Sequence, residues 1–287
     1  MSAACERCGT AKNVARSEEL DATLCGDCFA ERADAASLLN AIEAFVRRYV
    51  VLPGDPERAA VAIWIAHTHA LAGAHATPYL LILSPEKRSG KTRVQEVVEL
   101  LVARPWRVTG ASEAAIFRKL AQDRPTLLLD ELDAIFGSFT ERTEPLRAIL
   151  NAGNRPGATV ARCVGEKGDQ VRDFDVFSAK ALAGIDKGSR IPDTIRDRAI
   201  PIGMRRKTQA EQVERFRYRD AKAEAEPVRE KLAAWAEGVT DELLEAEPSL
   251  PPELDDRAAE AWEPLLAIAP IWRAGIGRAA PARQRPS

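Results

Sequence analysis

Between residues 78 and 204 the chain alternates short apolar runs with longer stretches whose apolar positions recur at helical spacing. YLLIL, PTLLLDELD and SAKALAGID read as apolar strands, the second closed by acids. WRVTG reads as a further short strand, and IPDTIRDRAIPIGM ends the regular core. Between them fall helices: one from Thr92 to about Val102, then ASEAAIFRKLAQD with Ser112 as N-cap, then EPLRAILNAG ending at Gly153. GATVARCVGEKGDQVRDFDVF alternates and turns at Gly165 and Gly168, which predicts a β-hairpin. Upstream, AERADAASLLNAIEAFVRRYVVL sets Leu38, Leu39, Ile42, Phe45, Val46 and Tyr49 on one helical stripe. PGDP breaks it, and PERAAVAIWIAHTHALAGAHA follows as a largely apolar, buried helix. From Arg205 to about Glu247 the chain reads as helical and dense in charge, a solvated face. Beyond Trp262, Arg273, Arg278, Arg283 and Arg285 lie among Ala, Pro and Gly with no acid after Glu263, a composition expected to be disordered.

Strands alternating with helices predict an α/β fold, a parallel sheet covered by helices on both faces. Five blocks follow: a small cysteine-rich unit over 1–32, a helical region over 33–77, the sheet core over 78–204, a charged helical region over 205–262, and a disordered tail over 263–287.

Charge changes the picture by exclusion. The 41 basic and 43 acidic residues leave a net charge of −2, so a basic surface for nucleic acid has to be local. The opening residues hold no apolar core of the kind a secretory signal needs, and AVAIWIA and YLLIL are too short to span a bilayer. The chain is expected in the cytoplasm, without a membrane partner and with its cysteines as thiols or metal ligands. Four of its five cysteines lie in the first 28 residues, as Cys5-x-x-Cys8 and Cys25-x-x-Cys28. Two such pairs have the ligand set and spacing of a structural zinc site resembling a zinc ribbon. Gly9 and Gly26 suit the tight turns involved. Chance clustering or a redox dithiol is the competing reading, and the spacing does not say whether the unit binds DNA, protein or only its own domain. Cys163, alone in the hairpin, reads as a small buried hydrophobe. His67 and His69, two apart on a helix, point to different faces and read as core or surface histidines.

The chemistry concentrates in SPEKRSGKT. The stretch fits the phosphate-loop pattern G-x-x-x-x-G-K-S/T except at its first position, where Pro85 stands. That glycine serves loop geometry and carries no phosphate-binding side chain, so the chemistry survives the departure. Pro85, Glu86, Lys87, Arg88 and Ser89 would wrap the phosphates of ATP at a helix N-terminus. Gly90 keeps the backbone clear, Lys91 reaches the β- and γ-phosphates, and the Thr92 hydroxyl holds Mg²⁺. The strand LLL delivers Asp130 to the metal through water and Glu131 to the attacking water, with Asp133 nearby. The pair of motifs predicts a nucleotide-hydrolysing enzyme.

LILSPEKRSGKT, LLLDELDAIF, LRAILNAGNRPGATVARCVG and IPDTIRDRAIPI together resemble an uncharacterised P-loop ATPase domain, a domain of unknown function, of actinobacteria, their phages and mobile elements. By motif style it is AAA+-like, with a strand inserted between the two motif strands, and is related to primase-associated helicases. The resemblance covers roughly 57–262. It implies ATP hydrolysis in a homo-oligomeric ring acting on DNA, with a primase or other replication partner. It further implies a DNA-tracking hairpin with Lys167 at its tip and Arg162 on its flank, against an ordinary surface hairpin. Arg196 and Arg198 resemble an arginine finger, against local salt bridges to Asp193 or Asp197. Asn151 and Asp186 are weaker sensor candidates. Members of that family continue past WEPLLAIA into further helix, whereas this chain turns into PIWRAGIGRAAPARQRPS, which reads as a shortened or shifted end. An ATP-switched adaptor or loader, docking through the zinc unit, and a relic of a larger primase-helicase are the rival readings.

Overall fold

A computed structural model describes residues 4–5, 9–11, 14–17, 22–108, 111–137, 144–165, 169–186 and 191–273. Two short strands, β1 (Val14–Ser17) and β2 (Ala22–Cys25), pair antiparallel with Val14 opposite Cys25. Helix α1 (Gly26–Tyr49) follows at once, so the first long helix begins inside the cysteine-rich unit rather than after residue 32. Helix α2 (Asp55–His69) has Pro56 in its first turn, where a missing N–H is harmless. The core then runs β3 (Tyr79–Ser84), α3 (Lys91–Leu101), β4 (Pro105–Arg107), α4 (Glu113–Asp123), β5 (Thr126–Leu129), α5 (Leu132–Gly137) and α6 (Glu144–Ala152). The hairpin β6 (Thr159–Val164) and β7 (Gln170–Asp175), then β8 (Lys180–Ile185), α7 (Asp193–Arg196) and β9 (Ala199–Gly203) complete it.

Five strands form one parallel sheet in the order β4-β5-β8-β3-β9. The loop-bearing strand β3 and the acid-bearing strand β5 are thus separated by one strand, β8. This arrangement is compatible with a phosphate-loop fold. Period-two alternation divides the strands between two faces. Leu80 and Ile82 of β3 face a core built with α1, α2 and α3, while Tyr79, Leu81 and Leu83 face Leu132, Leu150 and Ile195 of α5, α6 and α7. Helix α4 packs with β7 through Phe117 and Phe174, whose rings lie 5.8 Å apart.

Two C-terminal helices, α8 (Tyr218–Leu244) and α9 (Asp256–Arg273), join the first of these cores through Ala221, Ala225, Leu232, Val239, Leu265 and Ile268. They correct the sequence reading in two ways. Residues 205–217 are not helical but form an extended strap from β9 to α8, held by tertiary contacts that override local helix propensity. Helix α9 runs to Arg273, across the boundary at 263, because Leu265 and Ile268 are buried against the core; residues 274–287 lie outside those described. No helix of the described residues is long and apolar enough to cross a membrane.

At the amino-terminal edge of the sheet lies Lys180, fully buried near the start of β8. Its Nζ donates to the carbonyls of Gly153 (2.7 Å), Ser178 (2.8 Å) and Val176 (3.3 Å), and sits 5.3 Å from the centre of the Tyr79 ring. Burial pushes its ammonium down to about 7, while three carbonyl acceptors match the three donors of the charged form. Gly153 is glycine for this approach: a Cβ there would collide with the Val176 carbonyl and stand 2.6 Å from Lys180 Nζ.

His67, buried, and His69, half-buried, lie on α2 with separate partners. His67 Nε2 bonds Thr77 Oγ1 at 2.9 Å, and His69 Nε2 bonds the Leu101 carbonyl at 2.8 Å. Burial pushes His67 from its ordinary 6.5 down to about 4. Between those values the unfolded chain binds a proton that the folded chain refuses, so stability is complete above 6.5 and falls as pH drops towards 4. Urea unfolding from pH 7 to pH 4 should show this loss, up to about 3 kcal/mol, and His67→Gln should flatten that part of the profile.

Candidate functional site

The loop 85–90 leaves β3 at the carboxyl edge of the sheet and enters α3 at Lys91. Its tight path uses left-handed backbone at Arg88 (φ 62°) and at Gly90 (φ 87°), the residue before α3. Glycine adopts that conformation freely; Arg88 is held there at a cost of about 1–2 kcal/mol. Lys91 Nζ turns back into the loop and donates to Ser84 Oγ (2.6 Å), Ser89 Oγ (3.3 Å) and the Glu86 carbonyl (3.3 Å). Ser89 Oγ donates to Ser84 Oγ at 2.8 Å, and Ser84 Oγ to the Glu86 carbonyl at 2.6 Å. An ammonium surrounded by neutral oxygens retains its charge for an anion. Burial lowers the Lys91 pKa from its ordinary value, with Asp130 and Asp133 pulling the other way. Pro85 and Thr92 are exposed beside this cage. Ser84, the last residue of β3, escaped the sequence reading; a lone polar residue closing YLLIL was the available signal.

Asp130 and Glu131, both exposed, follow β5 at the same edge. Asp130 Oδ1 accepts the Glu131 N–H at 2.9 Å, and Glu131 stands at φ 57°. A non-glycine residue held left-handed is local strain at the point where chemistry is expected. Asp133 Oδ1 accepts the Ile185 N–H (2.9 Å), and the Asp186 N–H donates to the Ser84 carbonyl (2.9 Å). The ends of β3, β5 and β8 are thereby stitched together. Gln95 of α3, fully buried, adds a cross-tie: its Nε2 donates to the Leu129 carbonyl at 2.8 Å.

The arginines separate. Arg196 pairs with neither Asp193 nor Asp197 but with Asp186 (2.9 Å), and donates Nε to the Ile191 carbonyl. Asp197 is taken by Arg257 of α9 at 2.7 Å. Arg198 lies at the opposite edge, where its carbonyl accepts from Tyr79 N and its Nη1 donates to the Asn151 carbonyl (3.1 Å). Asn151 therefore sits away from the loop 85–90. Arg162 is held between Glu113 (2.6 Å) and Glu144 (3.0 Å), over the Phe117 ring. Lys167 lies outside the described residues. Cys163 is exposed rather than buried, because alternation turns it outwards opposite Val171, itself 73% exposed.

In the cysteine-rich unit Cys5 and Cys25 are buried. Cys5 opens a turn in which its carbonyl accepts from Gly9 N (2.9 Å, φ 71° at Gly9) and its N–H donates to Thr10 O (2.8 Å). Cys25 is the residue before α1, and Cys28 falls one turn inside that helix. Among the described residues no three or more His, Cys, Asp or Glu gather to hold a metal. Cys8 and the side chain of Cys28 lie outside them.

Residues 203–284 match a family described as a protein of unknown function, DUF3631. An "uncharacterized 28.9 kDa protein in xis 5'region" of Saccharopolyspora erythraea is 39% identical over 66 residues, 23% of this chain and 24% of that protein. The chain thus spans about a quarter of that relative's length. The matched segment starts at Gly203, the last residue of β9, and so begins inside the central sheet.

Gln95→Leu tests the cross-tie between loop helix and acidic strand. It strands the buried Leu129 carbonyl, so chemical denaturation should show a loss of about 1–3 kcal/mol.

Proposed function

We propose that the chain is a Mg²⁺-dependent ATPase with an AAA+-like core. The observation that supports this best is the convergence of Lys91, Asp130, Glu131 and Asp186 at one sheet edge, around a glycine-hinged loop that opens a helix. In this reading Lys91 and the loop N–H groups bind the phosphates. The Thr92 hydroxyl and the Asp130 carboxylate would hold Mg²⁺, which when bound would neutralise phosphate charge. Glu131 orients a water that attacks the γ-phosphorus; the P–O bond to the β-phosphate breaks, ADP leaves, and the water's proton passes to Glu131. Arg196, paired with Asp186 at the same edge, acts within its own subunit. Arg198 is left to reach the γ-phosphate of a neighbouring copy in a ring.

Turnover would drive work on DNA in replication or mobile-element maintenance, in the cytoplasm and with a primase-like partner. The resemblance to proteins of phages and mobile elements supports this, as does the relative's printed place in the xis 5′ region. One observation favours the adaptor reading instead. The hairpin 159–175 carries Arg162, Lys167 and Arg172 against Glu166, Asp169, Asp173 and Asp175, three minus four, a net −1. Arg162 is moreover already neutralised by two carboxylates. Such a hairpin suits a protein contact better than a phosphate backbone. The zinc reading belongs here too: Cys5, Cys8, Cys25 and Cys28 would hold one structural Zn²⁺, supported by the buried Cys5 and Cys25 and the turn at Gly9.

Phosphate release from ATP, measured with and without single- or double-stranded DNA, tests the proposal. Lys91→Ala and Glu131→Gln should each lower turnover at least about a hundredfold. An inactive wild-type protein would sink the ATPase reading. Stimulation by DNA supports a motor, and indifference to DNA supports the adaptor. Separately, metal analysis should find one zinc per chain, lost in a Cys25→Ser, Cys28→Ser double variant.

A further inference from the structure

A glutamate inside a phosphate loop is a liability, because its charge opposes that of the ligand. Glu86 holds that position, and the strap from β9 to α8 meets it. The strap is tied to the loop-bearing strand where Met204 N donates to the Leu83 carbonyl at 2.6 Å. Two residues on, Arg206 donates both Nε and Nη2 to the Lys87 carbonyl at 3.2 Å, and its Nη2 lies 3.0 Å from Glu86 Oε2.

We propose that Arg206 is a positioning residue of the phosphate loop, neutralising Glu86 and fixing the Lys87–Arg88 peptide so that the Arg88 N–H faces the bound anion. This rests on the reading of 85–92 as a nucleotide site. In a planar trans peptide the C=O and the following N–H point in opposite directions. Drawing the Lys87 carbonyl outwards to Arg206 turns the Arg88 N–H inwards. The preceding Glu86 carbonyl points to the other side, where Lys91 Nζ and Ser84 Oγ donate to it. Adjacent carbonyls anchored to different groups leave the loop little freedom to flip. Serving a carbonyl and a carboxylate at once needs the planar fork of arginine, which a lysine ammonium lacks.

The brace is itself supported. Arg205 is held by Glu211 Oε2 at 2.7 Å, and Glu214 by Arg48 of α1 at 2.7 Å; Arg48 also meets Glu224 of α8 at 2.6 Å. Arg93, in the first turn of α3, stacks over Phe216 of the strap at 4.2 Å. The opening residues of the segment matched to the family of unknown function thus lie against the loop, and α8 carries on from them.

The test uses the full chain, wild type beside Arg206→Ala and Arg206→Lys. Calorimetric titration with ATP and with ADP is paired with amide hydrogen exchange over 86–90 in the nucleotide-free protein and with thermal unfolding. Both variants should bind both nucleotides about tenfold more weakly and exchange faster across the loop. Their unfolding temperatures should match the wild type, since an ion pair this exposed adds little stability. Arg206→Lys binding as tightly as the wild type would reduce the residue to its charge and overturn the proposal. Unchanged exchange in Arg206→Ala would overturn it too. A wild-type protein that binds neither ATP nor ADP would instead remove the nucleotide reading, and this proposal with it.

Discussion

Parallel pairing of β3 with β8, and of β8 with β5, is the constraint on which the candidate site depends. Parallel strands end together, so one register brings Ser84, Asp130 and Asp186 to one edge although they are far apart in the chain. Backbone bonds of Asp186 to Ser84, and of Ile185 to Asp133, close that edge locally. Gln95 ties the loop helix to the acidic strand from beneath. None of these contacts is chemically unusual. Their shared consequence is that the loop, its helix and the acidic strand are bonded together at one edge.

The two ends of the sheet carry different side chains. At the carboxyl edge Arg88 and Glu131 are held in left-handed backbone, and charged groups stand exposed. At the amino edge a fully buried lysine satisfies three carbonyls, a glycine makes room for it, and Tyr79 and His67 find internal partners. Left-handed backbone is not confined to the carboxyl edge: Arg104 and Arg124, just before β4 and β5, adopt it at the amino edge (φ 44° and 42°). The buried ammonium joins the α6 end, the β7 exit and β8 at a single point.

The C-terminal helices complete the core rather than cap it. Helices α8 and α9 bury their apolar stripes in the same cluster as β3 and β8, and Arg155 and Arg257 tie α9 to the amino edge through Glu260 and Asp197. A segment matched to a family from residue 203 onwards is therefore no separate module here. The strap carries Arg206 to the loop and leads directly into α8.

The loop, its helix and the acidic strand were legible in the sequence because each is encoded within a few residues: an apolar run, a glycine that permits left-handed backbone, then a helix start. The α/β class followed from the same local alternation. What tertiary structure decided was every pairing between distant residues. Arg196 chose Asp186 over its neighbours, Cys163 turned outwards, and residues 205–217 gave up helix for the strap. Lys180 in SAKALAGID and Arg206 in a run of charge carried no local sign of their partners. A side chain's partner is set by which strands lie side by side and in what register, and that is a property of the assembled sheet.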